Sequence, residues 1–498
     1  APIRTVSTVL PPRLTITGKD FELQHDANWR NESEKEDEMI LDKPLLGKVY
    51  EGQTYLTSGM LHEDDGRILL ELHNAGAGPK DDYLDQFDPS CISQQGNGVI
   101  AIGSPRMKPC PETISFFFTG PQESSYLLTD CRLVDTNFAF GGGPYNSRQV
   151  IEVGRLIQLS DGGLNRFGNK YLKINRMQST IPMLNMWLGD SALFFWLPND
   201  DNAKQRTVVA YGLKKTKPIK IGRISNENTV YAHIQVQAGS SDNLGKGKVE
   251  LHSDTTFSTY SRKNLDINDH FRLHQSFLVL LETAYGCKLD MRSIRVSRNE
   301  DKPSPKYSAT FRDLLMPHMP TLDFKEARNA GKAEPIFYFK NINEEGTRKW
   351  FGLLHDCPMG LYAFSNILEN EKYLPLETQF LLVGVTIEHI GAMVQGHDSC
   401  FREQLNAILD QIAPLLGDDA SKTDWIDGVT KSYNGIKHFY RADKRPDTVS
   451  MIEYLIEAKQ IIRLWIAHHI GCSIDLLKEY MSRHRYQLSR VTSIFDKP

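Results

Sequence analysis

The spacing of apolar residues changes from a period of two to a period of three to four along this chain. From Val230 to Val236 every second residue is apolar, as on a strand that is buried on one face. From about Thr347 to the end, apolar residues recur at helical spacing instead. The sequence therefore predicts an α+β multidomain protein, in which a β-rich N-terminal region precedes an all-α helical bundle.

The length requires more than one hydrophobic core, since 498 residues exceed the ~150 of a typical domain several times. Short strands punctuated by turn residues, such as Arg67–His73 after Asp65-Gly66, favour an antiparallel sandwich or barrel. A helix is predicted from Ile267 to Ala284, ending before Gly286. We predict a β-rich region over 1–260, a mixed α/β connecting region over 261–345 and an all-α domain over 346–498.

Composition excludes several classes of protein. No run approaches the ~18 apolar residues that cross a bilayer, so no membrane association is expected. The seven cysteines include no CxxC pair, and no secretory signal is visible, which together favour a reduced, cytoplasmic protein. Residues 421–498 hold 13 Lys+Arg against 9 Asp+Glu, while the chain as a whole has a net charge of −4. This basic end is compatible with a polyanionic partner.

The familiar nucleotide, metal and hydrolase motifs are missing. Gly141-Gly142-Gly143 is not followed by the Gly-Lys-Ser/Thr of a phosphate-binding loop, and Gly245-Lys246-Gly247-Lys248 has the same shortcoming. His62-Glu63-Asp64-Asp65 has metal-binding side chains but leads into a turn, where solvated acids are common. The sequence contains no HExxH, EF-hand or GxSxG pattern. We therefore predict neither a metal nor a cofactor.

One helical segment combines four chemically different side chains on one face. Asp427, Lys431, Asn434 and His438 follow one another at intervals of four, three and four residues. Histidine can transfer a proton near neutral pH, lysine can stabilise phosphate charge, and asparagine can orient a hydroxyl or the imidazole. The face fits acid–base chemistry on a phosphodiester, and it equally fits the polar side of an amphipathic helix. The apolar side would consist of Ile426, Val429, Tyr433 and Ile436.

Other basic residues in this part of the chain are candidate RNA contacts. Arg463 stands five residues before His468, within an otherwise apolar helix that favours a structural role for it. Arg483 and Arg485 belong to a short basic patch that would contact either RNA phosphates or solvent.

Several segments occur in the order found in one known family. They are Gly47–Tyr50, Gly59–Leu72, Phe118–Cys131, Leu376–His389, Gly428–His438 and Ile470–Ser473. In this order they resemble the ApeA family of bacterial anti-phage defence proteins, which join a β-rich N-terminal domain to a C-terminal HEPN domain. The resemblance covers most of the chain, and the order of the segments is more specific than any one of them.

The resemblance implies a metal-independent endoribonuclease that works as a homodimer, with two Arg-Asn-x-x-x-His motifs meeting at the interface. Asn434 and His438 match the last two motif residues, but Tyr433 occupies the arginine position. Tyrosine lacks the permanent charge and planar fork with which arginine binds phosphate. Lys431 is our preferred substitute for this charge. The other candidates are Lys437, Arg441 and Arg463.

Two functional hypotheses follow. In the first, the chain is an abortive-infection ribonuclease. Its β-rich region senses a phage-derived trigger and controls the nuclease. In the second, a catalytically degenerate HEPN module binds RNA or a partner protein without cleaving anything.

Overall fold

The structure is a computed structural model. It describes residues 41, 43–51, 54–73, 92–95, 99–102, 114–121, 125–139, 146–159, 172–189, 193–196, 210–213, 216–225, 228–243, 248–301, 311–316, 334–416 and 419–483. The glycine-rich segments at 141–143 and 245–247 lie outside these residues.

The strands and helices occupy largely separate halves of the chain. The strands are β1 (Leu45–Glu51), β2 (Thr54–Asp64), β3 (Arg67–His73), β4 (Ile92–Gln95), β5 (Val99–Ile102), β6 (Ile114–Thr119), β7 (Ser125–Ala139), β8 (Asn146–Val153), β9 (Arg155–Leu159), β10 (Lys173–Thr180), β11 (Leu193–Trp196), β12 (Ala210–Leu213), β13 (Ile219–Ser225), β14 (Val230–Asn243), β15 (Lys248–Asp266), β16 (Ser293–Ser297) and β17 (Arg312–Leu315). The helices are α1 (Leu184–Leu188), α2 (Ile267–Tyr285), α3 (Phe339–Asp356), α4 (Pro358–Asn370), α5 (Leu376–Gln395), α6 (Phe401–Gln411), α7 (Asp419–Lys437), α8 (Thr448–His469) and α9 (Ile474–Arg483). The predicted order, a β-rich region followed by an all-α region, is confirmed.

Six strands close into an antiparallel barrel. Their order is β7-β6-β1-β2-β3-β8, and β8 pairs with β7 again to close the ring. The Asp65-Gly66 turn between β2 and β3 has positive φ at both residues, which matches the right-handed twist of the paired strands. Ile68, Leu70 and Leu72 of β3 point into the barrel, whose core is separate from that of the remaining structure.

The long strand β7 belongs to the barrel and to a second, open sheet. Its first half pairs with β9, and the open sheet continues through β17, β16, β10, β15, β14 and β13. Helix α2 packs against one face of this sheet. It begins at the N-cap Asp266, whose carboxylate accepts a hydrogen bond from the Asn268 amide at 2.8 Å, and it ends at Gly286 in the left-handed conformation.

The open sheet and the helices share one hydrophobic core. Trp187 makes edge-on contacts with Phe277 of α2 and with Phe337 and Phe339 at the start of α3, at centroid distances of 5.6 to 6.5 Å. The indole of Trp350 donates a hydrogen bond of 2.8 Å to the Ser276 carbonyl of α2. The same core continues through the helices to α9.

The predicted regional boundaries fall within secondary-structure elements. Residue 260 lies inside β15, and residue 345 lies inside α3. Chain contacts group 40–498 into one unit. In the described part of the chain, no helix is long and apolar enough to cross a membrane.

Candidate functional site

Helix α7 presents an apolar face to the helical core and a polar face to solvent. Its buried residues include Trp425, Ile426, Val429 and Tyr433. On the other side, Lys431 is exposed and Asn434 is half-buried. Gly428 allows α7 to approach α8 closely, because a Cβ there would lie 2.2 Å from the Cζ atom of Tyr454. The predicted amphipathic pattern is thus present over the side chains of α7 that the structure describes.

The backbone leaves the helix at His438. Helix α7 ends at Lys437, and His438 has φ −122° and ψ 103° before a 3-10 turn over Phe439–Lys444. The His438 amide still donates a hydrogen bond of 2.9 Å to the Asn434 carbonyl. Its half-buried side chain lies next to Tyr440, at 5.5 Å between ring centroids. Asn434 and His438 are therefore neighbours at the end of α7, but the assumption that His438 continues the helical face is wrong.

Tyr433 is a packing residue. Its side chain is 2% exposed, and its ring lies 4.5 Å from that of Phe401. Gly384 of α5 makes room for it, since a Cβ at that position would lie 2.0 Å from the ring. Burial raises the pKa of the Tyr433 phenol, which keeps this side chain neutral. The position where the resemblance calls for arginine is therefore part of the core.

The nearest cation to Tyr433 is held by a carboxylate. Lys437 Nζ lies 5.0 Å from the centre of the Tyr433 ring and 2.8 Å from Glu388 Oε1 of α5. The hydrogen bond that Lys437 donates to Glu388 raises the pKa of Lys437. Since this charge is already paired, Lys437 is a weaker phosphate ligand than an unpaired lysine. Lys431 is exposed and makes no ion pair with any residue that the structure describes.

Asp427, the first residue of the polar stripe, forms an ion pair with Arg402 at the start of α6. Both side chains are partly exposed, at 39% and 44%. Arg402 brings a guanidinium to the same face of α7, and no pattern in the sequence indicates this. It lies 25 residues from Asp427, in another helix, so only the helix packing brings the two together.

Arg463 has a structural environment. Its guanidinium donates hydrogen bonds to the backbone carbonyls of Thr283 and Ala284 at 2.8 and 2.7 Å, and to Gln460 Oε1 at 3.0 Å. Burial lowers the pKa of Arg463. Its side chain joins α8 to the end of α2, and these bonds occupy the guanidinium with protein partners. We therefore leave Arg463 out of the proposed RNA contacts.

The remaining basic candidates lie apart from one another. Arg441 belongs to the 3-10 turn after His438. Arg483, at the end of α9, pairs with Glu334. Arg485 lies outside the described residues. Of these three arginines, Arg441 is the one that stands close to His438 along the chain.

No group of three His, Cys, Asp or Glu side chains within the described ranges has the geometry of a metal site. The segment from His62 to Asp65 contains metal-binding side chains. His62 Nε2 on β2 instead lies 3.1 Å from Glu71 Oε1 on the neighbouring strand β3. The site predicted from the sequence for proton transfer lies at the end of α7. It combines a half-buried imidazole, a half-buried amide and an exposed ammonium.

Comparison with known families assigns both halves of the chain. A family described as ApeA N-terminal domain 1 matches residues 62–350, and one described as Apea-like HEPN matches residues 387–476. The chain therefore belongs to the ApeA family and is an anti-phage defence protein with a HEPN module. Neither the curated proteins nor the solved structures include a significant match. The HEPN match contains Lys431, Asn434 and His438, and it ends within α9.

Proposed function

We propose that this protein is a metal-independent endoribonuclease of an abortive-infection system. The observation that carries the proposal is the position of Asn434 and His438 on successive turns at the end of α7, within the residues matched to the HEPN family. HEPN domains often bind RNA and form dimers. The β-rich region would restrain the nuclease or respond to a phage-derived trigger.

The proposed reaction is an intramolecular transesterification of RNA. The imidazole of His438 takes the proton of a 2′-hydroxyl, whose oxygen attacks the adjacent phosphorus while the bond to the 5′-oxygen breaks. The His438 of a second copy donates a proton to that leaving oxygen. Asn434 orients the hydroxyl or the imidazole, and Lys431 stabilises the negative charge on the phosphate.

An exposed apolar surface supports a second copy next to this site. Val449, Ile452 and Ile456 lie on one face of α8 and are 40% to 65% exposed. Tyr440, next to the His438 ring, is 63% exposed. A homodimer that covered this surface would bring two copies of the α7–α8 connection together.

Cleavage of RNA by the purified full-length protein in EDTA tests the proposal. His438→Ala removes the proton-transferring group and should lower the cleavage rate by at least about 100-fold. His397→Ala is the matched control, because His397 is an exposed histidine of the same helical region, between α5 and α6. Undiminished cleavage by His438→Ala would exclude the assigned site.

The buried Tyr433 favours a second candidate function, in which the module binds RNA without cleaving it. The position of the motif arginine holds the buried Tyr433, which carries no positive charge. The neighbouring Lys437 is already paired with Glu388. This alternative predicts RNA binding that weakens with salt and yields no product, with wild type and His438→Ala behaving alike. The same assay in EDTA, run with a binding measurement at two salt concentrations, separates the two functions.

A further inference from the structure

The open sheet carries a polar groove on one face, far along the chain from α7. The groove has a volume of about 450 Å³, which lies within the range of small-molecule sites. It is formed by β10, β14, β15 and β16 and by the residue before β17. The lining residues are Arg176, Met177, Gln178, His233, Gln235, Ser258, Thr259, Tyr260, Arg295 and Phe311.

Strand register explains why these side chains meet. His233 of β14 is paired with Ser258 of β15, which is paired in turn with Gln178 of β10. Gln178 is also paired with Arg295 of β16. Paired residues of neighbouring strands point to the same face of a sheet, so the row from His233 to Arg295 forms the floor of the groove.

The groove has the charge of an anion site. Two guanidiniums, those of Arg176 and Arg295, belong to the lining, and no carboxylate does. In the described part of the chain, neither guanidinium forms an ion pair. Burial and the neighbouring Arg176 lower the pKa of His233, which keeps this imidazole neutral near pH 7. The planar fork of a guanidinium matches the oxygens of a phosphate or a carboxylate group.

Aromatic rings lie next to these charges. Tyr260 stacks on Tyr231 with ring centroids 5.3 Å apart and an interplanar angle of 21°, and it is 40% exposed. The Phe311 ring lies 5.8 Å from the Arg295 guanidinium. Exposed rings beside arginines are the arrangement on which planar bases stack in nucleic-acid-binding sites.

The floor of the groove contains a buried hydroxyl with no protein partner. Ser258 is 1% exposed, and its Oγ atom makes no hydrogen bond to any described residue. An unpaired buried hydroxyl in the floor of a groove is available as a hydrogen-bond partner for a group that enters the groove. The amide of Gln178, 9% exposed, lies beside it.

We propose that this groove binds a nucleotide unit. Arg176 and Arg295 would hold the phosphate, the base would stack on Tyr260, and Ser258 and Gln178 would form hydrogen bonds with the base edge. A free mononucleotide and one residue of a single strand share this chemistry. The site is separate from the nuclease proposal, since it uses no residue of α7 and its test measures binding alone.

Isothermal titration of the full-length protein tests the proposal. The probes are AMP, GMP, CMP and UMP, the four corresponding nucleosides, and a DNA hexanucleotide that a ribonuclease does not cleave. We expect at least one mononucleotide to bind at least about tenfold more tightly than its nucleoside. Tighter binding of the hexanucleotide identifies a strand as the ligand, and equal binding identifies a free nucleotide. The absence of binding by every probe at millimolar concentration contradicts the proposal.

Variants assign the binding to the groove. The double variant Arg176→Gln/Arg295→Gln should weaken nucleotide binding by at least about tenfold, whereas Arg272→Gln, at an exposed position of α2, should not change it. Wild-type affinity in the double variant overturns the site.

The orphan hydroxyl allows a second, matched comparison. Ser258→Ala should weaken nucleotide binding without lowering the melting temperature of the free protein. Thr255 is the control, because its hydroxyl on the same strand is also buried and unpaired among the described residues, yet it does not line the groove. Thr255→Val should leave the affinity unchanged, and an equal loss in both variants overturns the role of Ser258.

Discussion

The two β-structures of this protein are stabilised in different ways. The barrel encloses a core of its own, formed by residues such as Phe116, Phe118 and Leu128. The open sheet has no separate core, because its inner face packs on α2 and shares one apolar cluster with α3 to α9. The strand β7 is common to both sheets.

This difference changes how the β-rich region relates to the helices. The open sheet is structurally continuous with the HEPN region, whereas the barrel is attached to it through the strand ladder. A ligand on the outer face of the open sheet would lie one layer away from α2, and α2 is joined to α8 by Arg463. A sensor in this sheet would thus be close to the effector helices, while a sensor in the barrel would act from a separate core.

Substitution of Arg463 in the shared core should lower the free energy of unfolding much more than substitution of an exposed arginine in the barrel. Arg463→Ala removes the hydrogen bond to Gln460 and leaves the carbonyls of Thr283 and Ala284 without these donors. We expect the free energy of unfolding to fall by about 3 kcal/mol. Urea denaturation followed by circular dichroism measures it.

The barrel offers the matched control. Arg132 is 73% exposed and pairs with Glu152 of the neighbouring strand at 3.2 Å. Arg132→Ala should lower the free energy of unfolding by less than about 1 kcal/mol, because exposed ion pairs contribute little. Equal effects of the two substitutions would contradict the structural role assigned to Arg463.

Local features of the fold could be predicted from the sequence. The Asp65-Gly66 turn, the end of α2 before Gly286 and the buried face of α7 depend on neighbouring residues, and each is present. The ApeA and HEPN assignment is also confirmed. These features are encoded in turn chemistry, apolar spacing and segment order, which a single sequence displays.

Features that depend on distant contacts could not be predicted. The groove combines Arg176 and Arg295, which are more than 100 residues apart, and closure of the barrel requires β8 to pair with two strands. Arg463 had an apolar helical setting in the sequence, but its carbonyl partners lie about 180 residues away. His438 was expected to continue the helix, and no proline or glycine at that position signals the break.

Acid should weaken the shared core through two buried histidines. His270 and His274 of α2 are fully buried, and their ring nitrogens form hydrogen bonds with the hydroxyls of Ser179, Thr259 and Ser261. Burial lowers the pKa of His270 to about 4 and that of His274 well below its usual 6.5. Between pH 4 and pH 6.5 the unfolded chain therefore binds more protons than the folded protein. The contribution of the two neutral histidines to stability is complete above pH 6.5 and is lost as the pH falls towards 4.

We expect each of these histidines to remove on the order of 2 kcal/mol of unfolding free energy between pH 7 and pH 5. No histidine side chain described in the barrel is fully buried, so the effect belongs to the shared core. Urea titrations at pH 7, 6 and 5 should show a shallower pH dependence in His270→Gln than in wild type. Parallel curves would show that His270 takes up its proton at the same pH in the folded protein and in the unfolded chain.

The smallest expected effect has the opposite sign and concerns Glu282 of α2. This fully buried carboxyl group accepts hydrogen bonds from the Leu289 amide at 3.2 Å and from the Ser365 hydroxyl at 3.1 Å. Burial, followed by the nearby charge of Glu369, raises the pKa of Glu282 well above its usual value. The unfolded chain loses this proton near pH 4.5 while the folded chain retains it, so the group costs stability as the pH rises above that value.

Glu282→Gln keeps the shape and the hydrogen-bonding capacity of the protonated acid without this cost. We expect the variant to gain about 1 kcal/mol of unfolding free energy at pH 8 and nothing at pH 4. Glu479→Gln, at an exposed position of α9, should leave stability unchanged at both pH values. A loss of stability in Glu282→Gln at pH 8 would mean that the carboxylate is charged in the folded protein and that the junction between α2 and α4 is more polar than its burial indicates.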